Sequence, residues 1–124
     1  MAHKCNTIDD GVNWTSRVKG NPDGEISIEK EQGPKNLFTG THLKSGERLY
    51  GRCFDNGGAG FGAIWFAVPG NNHLYIGQFN VQGEIHGHRY DIDVDSGTIH
   101  LEEIIRVNLN KTLVEADDWV GTKT

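Results

Sequence analysis

The sequence predicts an all-β protein, a small antiparallel up-and-down barrel of about eight strands. Two observations favour this class: apolar and polar residues alternate over short segments, and Gly, Asn, Asp and Ser separate those segments. No segment has the apolar spacing of a long amphipathic helix. The chain has 124 residues, 17 glycines and 35% hydrophobic residues, which suits one domain with a core of moderate size.

Eight strands are predicted, in order, near 12–18, 24–30, 37–44, 47–55, 60–68, 73–81, 84–94 and 98–109. The connecting sequences GNPDG, QGPKN, SG, DNGGAG, PGNN, QG and DSG contain residues that tolerate positive φ or favour turns. Short connections predict antiparallel hairpins, and closure into a barrel leaves no exposed strand edge. A two-sheet sandwich is the alternative. We expect one domain over 1–124, with 110–124 as a terminal strand or a cap.

The composition argues against several classes of partner. The formal net charge is -5, so the protein is a poor candidate for binding the negatively charged backbone of nucleic acid. No run of residues approaches the ~20 apolar residues of a membrane helix. The start MAHKCNTIDD has no apolar signal region, so a soluble cytoplasmic protein is expected as the sequence stands, with export by another route as the alternative. For Cys5 and Cys53, reduced thiols are favoured over a single bridge.

The segment EIHGHRYDIDV (84–94) raises a question of orientation, because one of its faces is charged and the other mixes His and Tyr with Ile and Val. The face with His86, His88 and Tyr90 is the better inward face. On 98–109 the odd, mostly apolar face points inward and includes Glu103. Two-residue turns at Gln82–Gly83 and Ser96–Gly97 would then bring together Tyr75, Phe79, His86, His88, Tyr90 and Glu103.

A cluster of polar side chains inside a small barrel favours a ligand pocket, because charged groups are rarely buried without partners. The predicted function is therefore a small ligand-binding barrel protein with an interior or barrel-mouth pocket. One alternative is a carbohydrate-binding lectin, suggested by loops such as PGNNHLY. The other is a cofactor-free lyase, isomerase or cyclase in which His88, Tyr90 and Glu103 are catalytic. Neither alternative requires a cofactor.

Two stretches resemble metal-binding patterns without matching their spacing. DIDVDSGTIHLEE resembles a calcium loop, but Gly97 and Ile99 each stand one position later than such a loop requires. HGH with a carboxylate resembles a two-His-one-carboxylate site, but Asn80 stands where the cupin spacing requires Gly. No metal ion is therefore expected.

Five stretches resemble the avidin and streptavidin family in order and, up to residue 79, in spacing: LFTGTH (37–42), RLYGRC (48–53), GFGAIW (60–65), LYIGQF (74–79) and DDW (117–119). The resemblance implies an eight-stranded barrel with a ligand in one open end, and usually a tetramer. It places Trp65 and Tyr75 at ligand-stacking tryptophans, both pointing inward, and Trp119 at a tryptophan donated to a neighbouring subunit. His42 replaces a ligand-binding tyrosine, and His73 replaces a threonine.

The sequence also departs from that family. The region 80–116 is longer, the final Asp after the last Trp is missing, and the Ser and Thr contacts are not matched. Biotin is therefore not the expected ligand; a different small molecule or a glycan is. The residues predicted to bind it are His42, Trp65, His73, Tyr75, Phe79, His86, His88, Tyr90 and Trp119.

Overall fold

A computed structural model describes residues 13–30, 37–54, 62–91 and 116–124. The strands are β1 Asn13–Val18, β2 Asn21–Lys30, β3 Leu37–His42, β4 Glu47–Phe54, β5 Ala63–Val68, β6 His73–Phe79, β7 Ile85–Asp91 and β8 Ala116–Lys123. A 3-10 helix, Pro69–Asn71, connects β5 to β6. The first seven strands correspond to the seven predicted between residues 12 and 94. The predicted strand 98–109, with Glu103, lies outside the described residues.

The eight strands form a closed antiparallel barrel in which each strand pairs with the next in the chain and β1 pairs with β8. This up-and-down order confirms the predicted fold class and excludes the two-sheet sandwich. Closure gives the backbone groups of every strand a partner on both sides, which an open sheet of the same strands would lack.

The barrel interior is filled by alternate residues of each strand, as the two-residue period of a strand requires. Its apolar members are Trp14, Val18, Ile26, Ile28, Phe38, Leu49, Cys53, Ile64, Phe66, Val68, Tyr75, Phe79, Ile85 and Trp119. The Phe66 and Tyr75 rings stack with their centroids 4.5 Å apart. Burial of this set is the main stabilising contribution to the barrel.

The predicted orientation of β7 is wrong. Ile85 is buried, whereas the side chains of His86 and His88 are 52% and 50% exposed. The cause is the β6–β7 connection, because the Asn80 and Glu84 backbones pair around a three-residue turn instead of a two-residue turn at Gln82–Gly83. The Asn80 side chain accepts backbone hydrogen bonds from Gln82 and Glu84, which holds this turn. The register therefore moves by one residue, and every side chain of β7 changes face.

The second neighbour of β7 also differs from the prediction. Tyr90 pairs with Leu74 on one side and with Ala116 of β8 on the other, so the Ser96–Gly97 hairpin, which was predicted to bring Glu103 beside Tyr90 on the next strand, is wrong as the neighbour of β7. β8 occupies this position because it closes the barrel between β7 and β1. Ile92, Val94 and the predicted turn at Ser96–Gly97 lie outside the described residues.

Trp65 does not point inward. Phe66 stacks on Tyr75 inside the barrel, so Trp65, its neighbour on β5, points to the opposite side. It is nevertheless only 3% exposed. Cys53 is disulfide-bonded, contrary to the expectation of reduced thiols. Cys5 lies outside the described residues.

No helix in the described part of the chain is long and apolar enough to cross a membrane.

Candidate functional site

A carboxylate inside the barrel, Asp23, is surrounded by four hydrogen-bonding side chains. Ser16 Oγ and Tyr75 Oη donate to Asp23 Oδ2 at 2.8 and 2.7 Å. His42 Nε2 lies 3.4 Å from the same oxygen, and Arg89 Nη1 lies 3.3 Å from Oδ1. The side chains of Asp23 and His42 are only 12% and 5% exposed. We call these five residues the Asp23 cluster.

A β-bulge points Asp23 into the barrel. Ser16 pairs with Gly24, but the next residue of β1, Arg17, pairs with Pro22, so Asp23 is an extra residue without a partner on β1. An extra residue of this kind interrupts the alternation of faces along the strand, so Asp23 points inward although Ile26 and Ile28 also do. Gly24 has φ +103°, and a Cβ there would lie 2.7 Å from Lys44 Cβ. The bulge thus requires glycine at position 24.

The cluster lies at the end of the barrel that carries the β1–β2 turn Lys19–Gly20, the β3–β4 turn and the 3-10 helix; we call this the polar end. Lys19 and Gly20 both have positive φ, as a two-residue hairpin turn requires. The opposite end is apolar, since Phe79 pairs there with Ile85 and packs edge-on against Trp14.

A chain of alternating charges leads from Asp23 to the surface. Arg89 contacts Asp23 and, through Nη2, Asp117 Oδ2 at 3.4 Å. Lys19 Nζ lies 3.1 Å from the other oxygen of Asp117 and is 66% exposed. The two carboxylates are therefore balanced by two cations, one of them mostly buried and one in solvent.

Trp119 forms the apolar floor beneath the cluster. Its ring contacts the rings of Tyr75 and Phe66 at 5.2 and 5.4 Å, and its Nε1 donates to Ser16 Oγ at 2.8 Å. Gly77 and Gly121 leave room for the indole, because a Cβ at either would lie 3.1–3.2 Å from it. The resemblance implied donation of Trp119 to a neighbouring subunit; the ring lies inside its own barrel instead.

Hydrogen bonding keeps Asp23 ionised. Burial by itself would raise the pKa of Asp23, but hydrogen bonds from His42, Tyr75 and Ser16 outweigh it and lower the pKa to about 2. Burial, and then the hydrogen bond to Asp23, raises the pKa of Tyr75, which therefore stays a neutral donor. Burial and the charge of Arg89 lower the pKa of His73, so this imidazole is neutral at neutral pH.

Hydrogen-bonding capacity is left over at the polar end. Four buried side-chain nitrogens among the described residues have no hydrogen-bond partner: Arg89 Nε and His73 Nδ1 at the polar end, and Trp14 Nε1 and Trp65 Nε1 elsewhere. The other ring nitrogen of His73 lies 3.3 Å from Asp91 Oδ1, and its ring lies edge-on to Tyr75 at 6.2 Å. Buried polar atoms are nearly always paired, so the two nitrogens at the polar end retain capacity for a further hydrogen bond.

His42 connects the cluster to the rim of the barrel. Its Nδ1 lies 3.0 Å from Ser45 Oγ in the β3–β4 turn, which is exposed. Asn71 Nδ2 donates to the same hydroxyl at 3.0 Å, and the Glu47 backbone N–H donates to it at 3.3 Å.

The structure divides the predicted binding residues into three groups. His42, Tyr75 and Trp119 meet at the Asp23 cluster, and His73 adjoins it. Phe79 is buried at the apolar end. Trp65, His86, His88 and Tyr90 all lie on the side of their strands that faces away from the interior.

His86 and His88 line an open groove of about 400 Å³ on the outer side of β7 and β8, together with Gly87, Asp118, Trp119 and Val120. His86 lies 3.3 Å from Glu84, and His88 lies 3.3 Å from Asp118. In the described part of the chain, no group of three or more His, Cys, Asp or Glu residues is arranged to hold a metal ion.

Sequence reasoning missed Asp23, Arg89 and Ser16. Alternation along β2 places Ile26 and Ile28 inward and therefore Asp23 outward, unless the bulge is known. Arg89 was assigned to the outer face by the same register error that moved His88 inward. Ser16 could have been found from the sequence. It lies two residues from both Trp14 and Val18, so all three share the buried face of β1.

The fold and site define a small antiparallel up-and-down β-barrel with a hydrogen-bonded polar cluster at one interior end. Comparison of the chain with protein-family models, curated proteins and solved structures finds no match. The barrel is compatible with an avidin-like architecture, and the likeness established by the structure extends no further than that architecture.

Proposed function

We propose that the protein binds a small polar molecule at the polar end of its barrel, against Arg89 and His73. The observation that carries this proposal is the pair of buried, unpartnered nitrogens, Arg89 Nε and His73 Nδ1, beside the Asp23 cluster. A ligand that hydrogen-bonds to both would supply the missing partners, as polar groups in binding pockets do.

The energetic cost of the cluster supports a binding role. Removing charged groups such as Asp23 and Arg89 from water is unfavourable, and apolar residues of similar size often stabilise a fold at least as well. A closed barrel filled only with residues such as Phe66 and Leu49 would avoid that cost. Retaining ionised groups at one end is expected where they contact a ligand.

The charges favour a neutral ligand. Asp23 and Asp117 are balanced by Arg89 and Lys19, so these four groups together attract neither an anion nor a cation. Asp23 Oδ2 already receives three donors, whereas Oδ1 receives only Arg89 and retains acceptor capacity. A neutral molecule with adjacent donor and acceptor groups matches this arrangement.

The test is an NMR titration that follows the side-chain Nε–H signal of Arg89. The probes are neutral lactams, nucleobases, monosaccharides and biotin, each added to the wild-type protein. We expect at least one class to shift the Arg89 signal and to raise the melting temperature. Arg89→Lys and His73→Gln should weaken that binding, and Arg48→Lys, on the exposed outer side of β4, should not.

The same titration separates the alternatives. A response to monosaccharides alone would favour the lectin. Tight binding of biotin would contradict the expectation that biotin is not the ligand. Shifts confined to His86 and His88, with Arg89 unchanged, would place binding in the outer groove and would contradict the proposed site. The enzymatic alternative built on His88, Tyr90 and Glu103 receives no support from the positions of His88 and Tyr90, which lie outside the barrel.

A further inference from the structure

We propose that Ser45, His42 and Asp23 form a nucleophilic relay at the rim of the barrel that can cleave esters through an acyl intermediate on Ser45. This inference goes beyond ligand binding and does not depend on the identity of the ligand. It rests on two distances: 3.0 Å from Ser45 Oγ to His42 Nδ1, and 3.4 Å from His42 Nε2 to Asp23 Oδ2.

The ionised carboxylate determines which nitrogen of His42 carries the proton. A carboxylate accepts hydrogen bonds and donates none, so His42 Nε2 must carry the hydrogen that faces Asp23. In the neutral imidazole Nδ1 is then an acceptor for the Ser45 hydroxyl at 3.0 Å, a shorter contact than the 3.5 Å from that hydroxyl to the His42 backbone carbonyl, which is its other acceptor. This is the proton arrangement that general-base activation of a serine requires.

Burial places the three groups in environments that suit their roles. His42 and Asp23 are 5% and 12% exposed, so the positioning contact is shielded from water. Ser45 is exposed in the β3–β4 turn, where a substrate can reach it. Asp23 is itself held by Ser16 and Tyr75, which keeps its carboxylate oriented when His42 becomes charged.

Asn71 supplies a donor at the reacting atom. Its Nδ2 lies 3.0 Å from Ser45 Oγ. When Ser45 attacks an ester, Nδ2 is close enough to donate to the carbonyl oxygen of the ester, which becomes negatively charged. Asn71 belongs to the 3-10 helix, and Ser45 belongs to a turn 26 residues earlier in the chain. The barrel alone brings them together.

The reaction balances with water as the only co-reactant. Ser45 Oγ bonds to the acyl carbon while His42 Nδ1 takes its proton. The C–O bond to the alcohol then breaks, and the alcohol leaves with that proton from His42. Water attacks the acyl carbon with His42 again as base. The carboxylic acid leaves, and the Ser45 hydroxyl is restored. Asp23 stabilises the imidazolium in both steps and is a positioning residue.

The primary experiment uses the full chain with p-nitrophenyl acetate and with a fluorophosphonate probe. We expect covalent labelling of Ser45, located by peptide mass spectrometry, and hydrolysis at least about 100-fold faster than in Ser45→Ala, the usual size of acid-base assistance. Ser27→Ala, on another strand, is the matched control and should keep the wild-type rate. Equal rates in wild type and Ser45→Ala, with no label on Ser45, would overturn the proposal.

A second variant guards against loss of folding in Ser45→Ala. In Ser45→Cys the new thiol should have a pKa below the ordinary value of about 8.5, because His42 accepts its proton. Adding His42→Gln should return the pKa to that value. Adding Asp23→Asn should raise the pKa part of the way, since it removes the carboxylate that stabilises the imidazolium formed when His42 takes the thiol proton. A thiol pKa that is unchanged across all three proteins would reject the relay.

Because the NMR titration reports ligand binding separately, failure of the relay leaves the binding proposal intact, and the reverse also holds.

Discussion

Trp119 Nε1 donates a hydrogen bond of 2.8 Å to Ser16 Oγ, and Ser16 Oγ donates one of equal length to Asp23 Oδ2. One hydroxyl thus joins the indole that forms the apolar floor to the carboxylate at the polar end. Ser16 has no exposed surface, so no water replaces it if it is removed. The shape of the proposed ligand site therefore depends on a residue that is not expected to touch a ligand.

Ser16→Ala should lower the free energy of unfolding by about 3 kcal/mol. The substitution leaves the Trp119 indole without an acceptor and removes one donor from Asp23, and each unsatisfied buried group costs about 1–3 kcal/mol. Urea unfolding followed by tryptophan fluorescence measures the change. Ser27→Ala is the control, expected within about 0.5 kcal/mol of wild type. Equal stability of the two variants would show that the Trp119–Ser16–Asp23 contacts contribute little.

Gly24→Ala should disrupt the bulge that points Asp23 inward. The backbone at Gly24 has φ +103°, and the added Cβ would lie 2.7 Å from Lys44 Cβ. Strain of this kind costs at least about 2 kcal/mol. Gly20→Ala is the matched control, because it also has positive φ, +76°, but open space around the Cβ position. We expect only Gly24→Ala to shift the Arg89 Nε–H signal; shifts in both variants, or in neither, would contradict the role of the bulge.

The stability of the protein should fall in acid through Asp23. Its pKa is about 2 in the folded protein against 3.8 ordinarily, so the folded state holds its proton less readily than the unfolded state. The resulting stabilisation is present above about pH 4 and is lost as the pH falls towards 2, with a total of about 2 kcal/mol. Unfolding free energies from pH 5 to pH 2 measure it. Asp23→Asn should be less stable at pH 5 and should show a shallower decline; parallel curves would contradict this assignment.

His86→Ala and His88→Ala should each change the free energy of unfolding by no more than about 0.5 kcal/mol, because both side chains lie half exposed outside the barrel. His42→Ala, by contrast, removes a buried partner of Asp23 and should cost at least about 2 kcal/mol. Thermal unfolding of the three variants provides the comparison. A large loss of stability in His86→Ala or His88→Ala would support an interior position for that side chain, which the structure contradicts.

The sequence predicted the barrel well because the information for it is local. Turn residues between short alternating segments define hairpins one at a time, and consecutive hairpins close into an up-and-down barrel. Part of the site was also accessible. His42 and Tyr75 were selected from short stretches, and both are buried at the cluster. The facing of β7 was not accessible, because it depends on whether the Asn80–Glu84 turn contains two central residues or three.

By itself, therefore, the sequence determined the first seven strands, their antiparallel order and the presence of polar residues within the barrel. Only the tertiary structure decided which polar residues share the interior. One extra residue in the β6–β7 turn placed Arg89 in the interior and His88 outside it, and one extra residue in β2 brought Asp23 inward. Because strand faces alternate with a period of two, a single inserted residue reverses an entire face. The contacts that fix the site join residues as far apart as Ser16 and Trp119, which lie 103 positions apart and meet only when the barrel closes.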